Sequence, residues 1–407
     1  MPHQPACRSC STSLTEVFAD LGVSPLANSY LREDQLSNME PHYPLKAWVC
    51  GSCMLVQLEE FETPAGIFSD YAYFSSFSTS WLAHAERYVH DMIARFGFDS
   101  KSQVIEIASN DGYLLQYFQA AGVPVLGIEP AANVAQAAIA KGIPSRTIFF
   151  GRDTARDLKA DLLIGNNVYA HVPDLHSFTA GLKIALNPDG IITLEFPHLL
   201  RLMDEAQFDT IYHEHFSYLS LLTVQKIFAH HGLTIFDVEE LPTHGGSLRI
   251  FGRHAENTTH KTTPRVEAVL AKERAAGLDR LDAYRHFAEK VKRVKCDVLQ
   301  FLIGARRAGK TVVGYGAPAK GNTLLNYCGI GPELLSFTVD RSPHKQGHYL
   351  PGTRIPIYNP EAIEQARPDY VLILPWNLKD EITEQMKAIR TWGGRFVVAI
   401  PSLEILP

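Results

Sequence analysis

The chain has 407 residues, a length that suits two or three domains. Hydrophobic residues make up 46% and charged residues 20%, as in an ordinary globular enzyme, and the net charge of −6 argues against a broad nucleic-acid-binding surface. No apolar run is long enough to span a bilayer, and the first residues do not resemble a signal peptide, so we expect neither a membrane nor a nucleic-acid partner.

Four of the six cysteines form two C-x-x-C pairs, Cys7 with Cys10 and Cys50 with Cys53. Each pair can place two thiolates on one metal ion, and four thiolates suit tetrahedral zinc. Such a site has no open coordination position, so we expect structural zinc, with redox dithiols or unpaired thiols as the alternatives. We therefore expect residues 1–70 to form a small zinc-binding module.

The two other cysteines, Cys296 and Cys328, are far apart in the sequence. A disulfide framework would need more pairs, so this usage fits a reducing cytoplasm. We therefore predict a cytoplasmic protein.

Residues 71–255 alternate helical patterns with short apolar strands, which predicts a parallel α/β sheet. The predicted strands are V-I-E-I (104–107), V-L-G-I (125–128), D-L-L-I (161–164) and I-I-T-L (191–194).

The first of these strands contains Glu106 and runs into the turn A-S-N-D-G (108–112), after which we expect a helix near Tyr113. The second strand ends at Glu129, where an acidic side chain can accept hydrogen bonds from ribose hydroxyls. This order occurs in dinucleotide-binding folds and in class I methyltransferases. The acidic residue within the strand and the absence of G-x-G-x-x-G favour a methyltransferase that binds S-adenosylmethionine (SAM). The candidate cofactor residues are Glu106, Ala108, Asn110, Asp111, Gly112 and Glu129, with Ala108 and Asn110 in place of two usual glycines.

The loop G-N-N-V-Y-A-H-V-P-D-L (165–175) follows the third strand and, in a class I sheet, borders cofactor and substrate. Asn166 and Asn167 offer amide contacts to the cofactor. His171 either faces the substrate or caps the next helix.

The segment I-Y-H-E-H-F-S-Y (211–218) gathers polar side chains that are costly to bury. An extended backbone would put Tyr212 and Glu214 on one face and His213 and His215 on the other, whereas a loop would let more of them converge. The spacing is not that of a helical zinc site, and a polar surface loop is the alternative.

A further candidate is T-H-G-G-S-L-R-I (243–250), whose two glycines let backbone approach a ligand closely. A strand with a glycine bulge is the alternative. The candidate residues here are His244, Gly245, Gly246, Ser247 and Arg249.

We expect one or two connecting helices between residues 262 and 308, and residues 256–407 to end in a second Rossmann-like domain. Its predicted strands are T-V-V-G-Y-G (311–316), S-F-T-V-D (336–340), Y-V-L-I-L (370–374) and R-F-V-V-A-I (395–400).

The turn G-Y-G-A-P-A-K-G-N-T (314–323) is not a P-loop, but its amides and Lys320 can hold phosphate at a helix start. Asp340 ends the next strand, where a dinucleotide fold keeps a ribose contact, so NAD is the rival ligand to a sugar diphosphate. Gly316, Lys320 and Asn322 are the candidate contacts.

Taken together, the motifs above resemble those of the sugar C-methyltransferases that act on nucleotide-linked 4-keto-deoxyhexoses. The resemblance covers nearly the whole chain and includes, besides the cysteine pairs, Y-A-Y-F-S-S (71–76), E-I-A-S-N-D-G (106–112), N-N-V-Y-A-H-V (166–172), Y-H-E-H-F-S-Y (212–218), H-G-G-S-L-R (244–249) and G-Y-G-A-P-A-K-G-N (314–322).

The resemblance implies structural zinc, a SAM-binding middle domain and a C-terminal domain that helps to hold the nucleotide sugar. It implies His215 as the base, with Tyr212 and Glu214 beside it. The implied sugar pocket contains His171 and a tyrosine of Y-A-Y, Tyr71 or Tyr73. The partner would be a TDP- or GDP-linked 4-keto-deoxyhexose and the assembly a monomer or homodimer.

Three other functions compete with this one. They are O- or N-methylation of another small acceptor, nucleic-acid binding through a zinc ribbon, and NAD-dependent oxidoreduction. The sequence around the cysteines has no basic patch, which argues against the zinc ribbon.

Overall fold

The computed structural model describes residues 4–63, 66 and 74–406. Tyr71 and Tyr73 therefore lie outside the described residues. The β-strands, in chain order, are β1 (Glu16–Ser24), β2 (Tyr43–Val49), β3 (Val56–Leu58), β4 (Val104–Ile107), β5 (Val125–Ile128), β6 (Ser145–Arg146), β7 (Ala160–Asn166), β8 (Leu186–Pro197), β9 (Ser217–Tyr218), β10 (Leu233–Leu241), β11 (Ser247–His254), β12 (Val312–Tyr315), β13 (Thr338–Val339), β14 (Ile357–Tyr358), β15 (Tyr370–Ile373), β16 (Arg395–Val398) and β17 (Glu404–Leu406).

The α-helices of the described residues, in chain order, are α1 (Thr79–Phe96), α2 (Leu115–Ala120), α3 (Ala132–Ala140), α4 (Leu175–Ala185), α5 (Leu199–Asp204), α6 (Leu221–His230), α7 (Pro264–Ala275), α8 (Leu281–Arg285), α9 (Phe287–Arg307), α10 (Ala319–Cys328), α11 (Glu361–Ala366) and α12 (Lys379–Gln385). Among the described residues, no helix is long and apolar enough to cross a membrane.

The chain forms two compact units, and neither is one continuous segment. The first unit contains Met1–Leu14, Cys50–Leu199 and Phe216–Arg280. The second unit contains Thr15–Val49, Leu200–His215 and Leu281–Pro407.

The first unit is built on a seven-stranded sheet in the order β6-β5-β4-β7-β8-β11-β10. The strands from β6 to β8 are parallel, and β11 and β10 are antiparallel to their neighbours. All four residues of β4 are buried, as expected for a central strand covered on both faces. The carboxyl ends of β4, β5 and β7 therefore share one edge of the sheet, where a ligand binds in open α/β folds.

Helix α1 packs on this sheet because its apolar residues recur with helical spacing. Ser78 caps its first turn by accepting a hydrogen bond from the Trp81 N–H at 3.3 Å, and Gly97 ends it in the left-handed conformation. The buried face consists of Ala85, Tyr88, Val89 and Met92.

The second unit contains a six-stranded sheet in the order β14-β13-β12-β15-β16-β17. The first five strands are parallel and β17 is antiparallel to β16. Strands β1 and β2 form an antiparallel pair in the same unit, so the segment between the two cysteine pairs folds with the C-terminal residues.

The predicted α/β fold class is confirmed, and a strand is found within or around each predicted apolar run. The prediction of one or two connecting helices is wrong: α7, α8 and α9 occupy this stretch. A turn at Gly277 in the left-handed conformation ends the first of them, and apolar periodicity alone did not reveal this break. Helix α2 begins two residues after Tyr113.

Candidate functional site

The two C-x-x-C pairs form matching turns in the first unit. The residue after each pair, Ser11 or Met54, has a positive φ, and its N–H donates to the carbonyl of the first cysteine at 2.8 and 3.0 Å respectively. The N–H groups of Ser9 and Ser52 point at the sulfur of the first cysteine in each pair, at 3.4 Å. The repeated geometry directs all four sulfurs to one point.

The sulfur atoms are close enough together to share one metal ion. Cys7 Sγ lies 3.5 Å from Cys53 Sγ, and Cys10 Sγ lies 3.4 Å from Cys50 Sγ. The Gln57 amide donates to Cys7 Sγ at 3.2 Å. All four sulfur atoms lie within 4.8 Å of one another, so the predicted ligand set fits tetrahedral zinc.

The cofactor turn keeps the backbone of a glycine-rich loop although two of its glycines are replaced. Ala108, Asn110 and Gly112 have φ values of 56°, 50° and 78°. Asparagine tolerates this region and glycine adopts it freely, whereas alanine is strained there by about 1–2 kcal/mol. A side chain at Gly112 would also meet Ile143 at 2.9 Å. The turn therefore has a left-handed backbone at two positions that are not glycine.

Glu129 holds this turn against the end of β5. Its two carboxylate oxygens accept the N–H groups of Asn110 at 3.0 Å and Ala131 at 2.8 Å. Burial raises the pKa of Glu129, and the two backbone hydrogen bonds counter that effect. Each oxygen keeps a second lone pair, so the carboxylate can still accept a pair of ribose hydroxyls.

Several buried oxygens around the turn suit the donors of a bound SAM. Within the described residues, no hydrogen-bond partner is present for Ser109 Oγ, Asp111 Oδ1, Asn166 Oδ1 or Asn167 Oδ1. A buried acceptor without a partner costs free energy, and SAM carries ammonium, hydroxyl and adenine amino donors. The residues present therefore fit the cofactor.

Glu106, inside β4, places a fully buried carboxyl just before the cofactor turn. Neither of its oxygens has a hydrogen-bond partner among the described residues. Burial raises the pKa of Glu106 well above its usual value, and the charges of Glu129 and Asp111 add to the effect. Lys141 binds the Asp111 carboxylate at 2.9 Å, which offsets part of the negative charge.

The segment after β10 directs His244 toward Asn167. His244 itself has a left-handed backbone, and the Asn167 amide nitrogen lies 3.1 Å from His244 Nε2. The Trp81 ring lies 5.2 Å from the His244 ring. His171 ends a short 3-10 turn and does not cap α4, because the N-cap is Asp174, which accepts the Ser177 N–H at 2.8 Å.

Arg249 is held by a buried ion-pair network across three strands. The strand register places it opposite Glu195 on β8 and Glu239 on β10. Its guanidinium donates to Glu195 at 2.8 Å, and His84 Nε2 contacts the same oxygen at 3.0 Å. Although burial raises the pKa of Glu195, His84 and Arg249 lower it to about 2.

This network directs predicted substrate residues to internal partners. The Ser247 hydroxyl donates to the Thr243 carbonyl at 2.9 Å, and Thr243 Oγ1 donates to Glu195 at 2.8 Å. The sequence analysis missed Glu195, although a carboxylate inside the apolar strand I-I-T-L-E-F signals a buried polar network.

In the second unit, Tyr212, Glu214 and His215 lie on a tight turn rather than an extended strand. The His215 N–H donates to the Tyr212 carbonyl at 2.9 Å, and the two side chains meet with Tyr212 Oη 2.8 Å from His215 Nε2. Of the two backbones that the sequence left open, the structure has the turn, because the chain reverses at His213 and Glu214.

The contacts of His215 define its tautomer. His215 Nδ1 lies 2.8 Å from the Thr210 carbonyl, which can only accept, so Nδ1 carries the proton. Nε2 is then left with a lone pair that faces the Tyr212 hydroxyl. This is the form in which histidine acts as a base.

Glu214 and His213 point into the second unit. Burial raises the pKa of Glu214 to about 7, and Asn28 counters this by donating to its carboxylate at 2.6 Å. His213 Nε2 contacts the Pro44 carbonyl at 3.2 Å, and burial lowers its pKa. Residues 28 and 44 come from the segment between the two cysteine pairs.

The glycine-rich turn of the second unit brings Lys320 to the start of α10. Its ammonium donates to Asn377 Oδ1 at 2.8 Å and lies 4.6 Å from the Trp376 ring. Burial lowers the pKa of Lys320, whereas nearby Asp209 raises it. The buried Asn322 amide nitrogen donates to the Ala27 carbonyl at 2.6 Å, whereas its Oδ1 has no hydrogen-bond partner among the described residues.

Three family models match successive parts of the chain. The model described as "Putative zinc binding domain" matches residues 7–68, "Methyltransferase domain" matches 81–238, and "C-methyltransferase C-terminal domain" matches 242–401. The fold, the cysteine cluster and these matches define a SAM-dependent methyltransferase with a zinc-binding N-terminal part.

The C-methyltransferase NovU of Streptomyces niveus is 36% identical over 405 residues, which cover 98% of this chain and 96% of NovU. The chain therefore belongs to this family of C-methyltransferases.

Solved methyltransferase structures are similar over less than half of the chain. Magnesium protoporphyrin IX methyltransferase (ChlM) from Synechocystis PCC 6803 with bound SAM has a TM-score of 0.33 and 16% identity, covering 42% of this chain and 78% of that chain. The complex of the Haloferax volcanii Trm112 methyltransferase activator and the putative methyltransferase has a TM-score of 0.36 and 13% identity, covering 43% of this chain and 96% of that chain.

The cysteine cluster should retain zinc and support folding. We expect the purified protein to hold one tightly bound zinc through its four thiolates, and Cys50→Ser to lower zinc retention and the unfolding temperature together, because metal and folding are linked. Metal analysis and thermal unfolding measure this, with Cys296→Ser as the control. A zinc-free Cys50→Ser protein as stable as the wild type would contradict a structural role.

Glu129 should control SAM affinity. Removing a hydrogen-bond acceptor that is charged costs about 1.5–3 kcal/mol, so Glu129→Ala should raise the dissociation constant roughly tenfold or more. Calorimetry with SAM measures this, and the exposed Glu86→Ala is the matched control. An unchanged dissociation constant in a folded Glu129→Ala protein would exclude the ribose contact.

Glu214 should make stability depend on pH. Because its folded pKa of about 7 exceeds its usual 4.5, it binds its proton more tightly when folded. The contribution of Glu214 to the free energy of unfolding is complete below pH 4.5. It is lost as pH rises to about 7, at about 1.4 kcal/mol per pH unit. Urea unfolding across that range should show the wild type losing stability at this slope relative to Glu214→Gln, whose amide stands in for the protonated carboxyl. A pH-independent difference would contradict the raised pKa.

Proposed function

We propose that the chain transfers a methyl group from SAM to C3 of a nucleotide-linked 4-keto-6-deoxy sugar, through an enolate, with His215 as the base. The observation that carries this proposal is the Tyr212–His215 pair, in which the lone pair of His215 Nε2 faces a phenol at 2.8 Å. Similarity to a C-methyltransferase along nearly the whole chain supports a carbon acceptor.

A carbon acceptor needs a base more than an oxygen or nitrogen acceptor does. An aliphatic C–H bond is not nucleophilic until a neighbouring carbonyl acidifies it. A 4-keto group does this for C3, and the proton can then pass to a histidine whose usual pKa lies near physiological pH. The electron pair of the C–H bond moves into the enolate.

His215 is prepared for this step by its contacts. The hydrogen bond from Nδ1 to the Thr210 carbonyl holds the ring and stabilises the imidazolium that forms when Nε2 takes the proton. Thr210 and His215 belong to the same unit, so the base is fixed by its own local fold.

Tyr212 is the candidate donor to the enolate oxygen. Its hydroxyl donates to His215 Nε2 here, and it can turn to the oxygen on which charge develops once the base is protonated. Glu214, whose pKa is about 7, orients this turn through Asn28 or meets a sugar hydroxyl.

The start of α10 is the candidate site for the diphosphate. This ten-residue helix begins after Pro318 with its first N–H groups uncapped by a side chain, and the N-terminus of a helix favours an anion. Burial already penalises the charge on Lys320, so a nearby diphosphate would stabilise its ammonium. Gly316, with a φ of 88°, keeps the preceding turn open because a side chain would meet Pro375 at 2.5 Å.

SAM supplies an electrophilic methyl group on a sulfonium. In this proposal the chain holds it with Glu129, Asn166 and the turn of residues 108–112. His171 and His244 are the further candidates for contact with the acceptor. The amide of Asn167 positions His244.

The acceptor is tested with SAM turnover against TDP- and GDP-linked 4-keto-6-deoxyhexoses. We expect methylated sugar with the new carbon bond at C3 and exchange of the C3 hydrogen with deuterium from solvent. O- or N-methylation of another acceptor needs no such exchange. Methyl transfer to oxygen or nitrogen with retained C3 hydrogen would overturn the proposal.

The base is tested by His215→Asn. Loss of a positioned base costs about 10²–10⁴-fold, so this variant should lose both methylation and exchange while its SAM dissociation constant stays unchanged. The exposed His42→Asn is the matched control, and His171→Asn, His213→Asn and His244→Asn test the rival bases. Near-normal turnover of His215→Asn would move the base to whichever rival loses both activities.

Tyr212→Phe separates two routes for the proton. If His215 takes it directly, the variant should keep measurable exchange and lose less activity than His215→Asn. If the proton passes through the phenol, Tyr212→Phe should lose exchange as completely as His215→Asn, which would contradict the direct role.

A further inference from the structure

We propose that three histidines on the first unit, His176, His230 and His231, form a second metal site for a borderline divalent transition ion such as Zn²⁺, Co²⁺ or Ni²⁺. This inference is separate from the four-cysteine site and goes beyond the proposed function. The ligand nitrogens of the three side chains all lie within 4.8 Å of one another.

Two helices supply the cluster. His176 is the second residue of α4, His230 is the last residue of α6, and His231 is the C-cap of α6. The three ring centroids are spaced almost equally, at 5.1, 5.1 and 5.0 Å. Two zinc–nitrogen bonds of about 2.0–2.1 Å at a tetrahedral angle put their nitrogens roughly 3.3 Å apart. Around an ion the His176–His231 pair would therefore open slightly from 2.8 Å, and the longer separations of up to 4.8 Å would close.

The tautomer of His176 is already that of a ligand. Its Nε2 lies 2.7 Å from the Ser9 carbonyl, which can only accept, so Nε2 carries the proton and Nδ1 has the lone pair. Metal-binding histidines usually donate their other N–H to a carbonyl or carboxylate in this way. His176 Nδ1 faces His231 Nε2 at 2.8 Å, so a bound ion would replace this shared proton, which moves to His231 Nδ1.

The end of helix α6 favours a cation at the cluster. The carbonyl end of α6 presents partial negative charge at His230 and His231. Among the nearby charged side chains, Asp174 adds negative charge beside His231, and the positive charge of Arg152 opposes it with a larger effect.

The ligand set defines the class of ion. Three imidazoles suit borderline transition ions, whereas Mg²⁺ and Ca²⁺ need oxygen ligands. Three protein ligands leave the fourth position to water. Because the ion would join the start of α4 to the end of α6, its expected effect is to clamp these helices together.

The Ser9 peptide links this cluster to the cysteine site. Its N–H points at Cys7 Sγ and its carbonyl accepts from His176. The carbonyl that orients His176 is therefore fixed by the turn of the first cysteine pair, so the test must use protein that retains its zinc.

The test is a titration of the zinc-containing full chain with Co²⁺ after weakly bound metal has been removed. We expect one further equivalent to bind, with visible d–d bands and without a sulfur-to-cobalt charge-transfer band, and an unfolding temperature that rises with Co²⁺. Failure to bind a further equivalent, or a charge-transfer band from sulfur, would overturn the proposal.

Loss of an outer-shell partner lowers metal affinity roughly 10–100-fold, and loss of a ligand should cost at least as much. His231→Gln and His176→Gln should therefore weaken Co²⁺ binding by at least this factor and abolish the rise in unfolding temperature. The exposed His90→Gln is the matched control. Wild-type affinity in both cluster variants would place the ion elsewhere and overturn the proposal. Methyl transfer is not a readout here, so failure of the proposed function leaves this test intact.

Discussion

The buried carboxylate of Glu129 is the interaction on which the cofactor-binding part of the fold depends. It joins the end of β5 to the turn after β4 by accepting the Asn110 N–H, and it does so while buried. The turn holds three residues with positive φ, of which only Gly112 is a glycine. A backbone strained in this way persists only where its surroundings stabilise it, and Glu129 supplies that stabilisation.

The second unit repeats this arrangement with different residues. Asp340, at the end of β13, accepts the Ala317 N–H from the turn after β12 at 2.8 Å. Both units therefore use an acidic residue at the end of one parallel strand to hold the glycine-containing turn that follows its neighbour. In the first unit the buried oxygens that have no partner among the described residues suit SAM, whereas the second unit places a half-buried lysine at the corresponding helix start.

Most of the fold could be predicted from local sequence patterns. Apolar runs such as V-I-E-I located the central strands because a buried parallel strand needs apolar side chains on both faces. The cysteine spacing identified the metal ligands for a similarly local reason. The turn that joins Tyr212 to His215 was not predictable, because the same residues are compatible with an extended strand and only the reversal at residues 213 and 214 decides.

Contacts between residues far apart in the chain could not be predicted from the sequence. The Glu195–Arg249–Glu239 network depends on the register of three strands, which no single run of residues specifies. His176 and His231 meet because α4 packs against α6, although 55 positions separate them. The roles assigned to Tyr71 and Tyr73 stay predictions.

The interleaving of the two units has a consequence for dissecting the protein by deletion. The chain passes between the units at residues 14/15, 49/50, 199/200, 215/216 and 280/281. Deleting the N-terminal residues up to the second cysteine pair would remove β1 and β2 from the second unit. It would also remove Asn28, the partner of Glu214. Fragments cut at linear boundaries are therefore poor folding units, and chimeras between family members should exchange residues 15–49 and 200–215 together with the C-terminal segment.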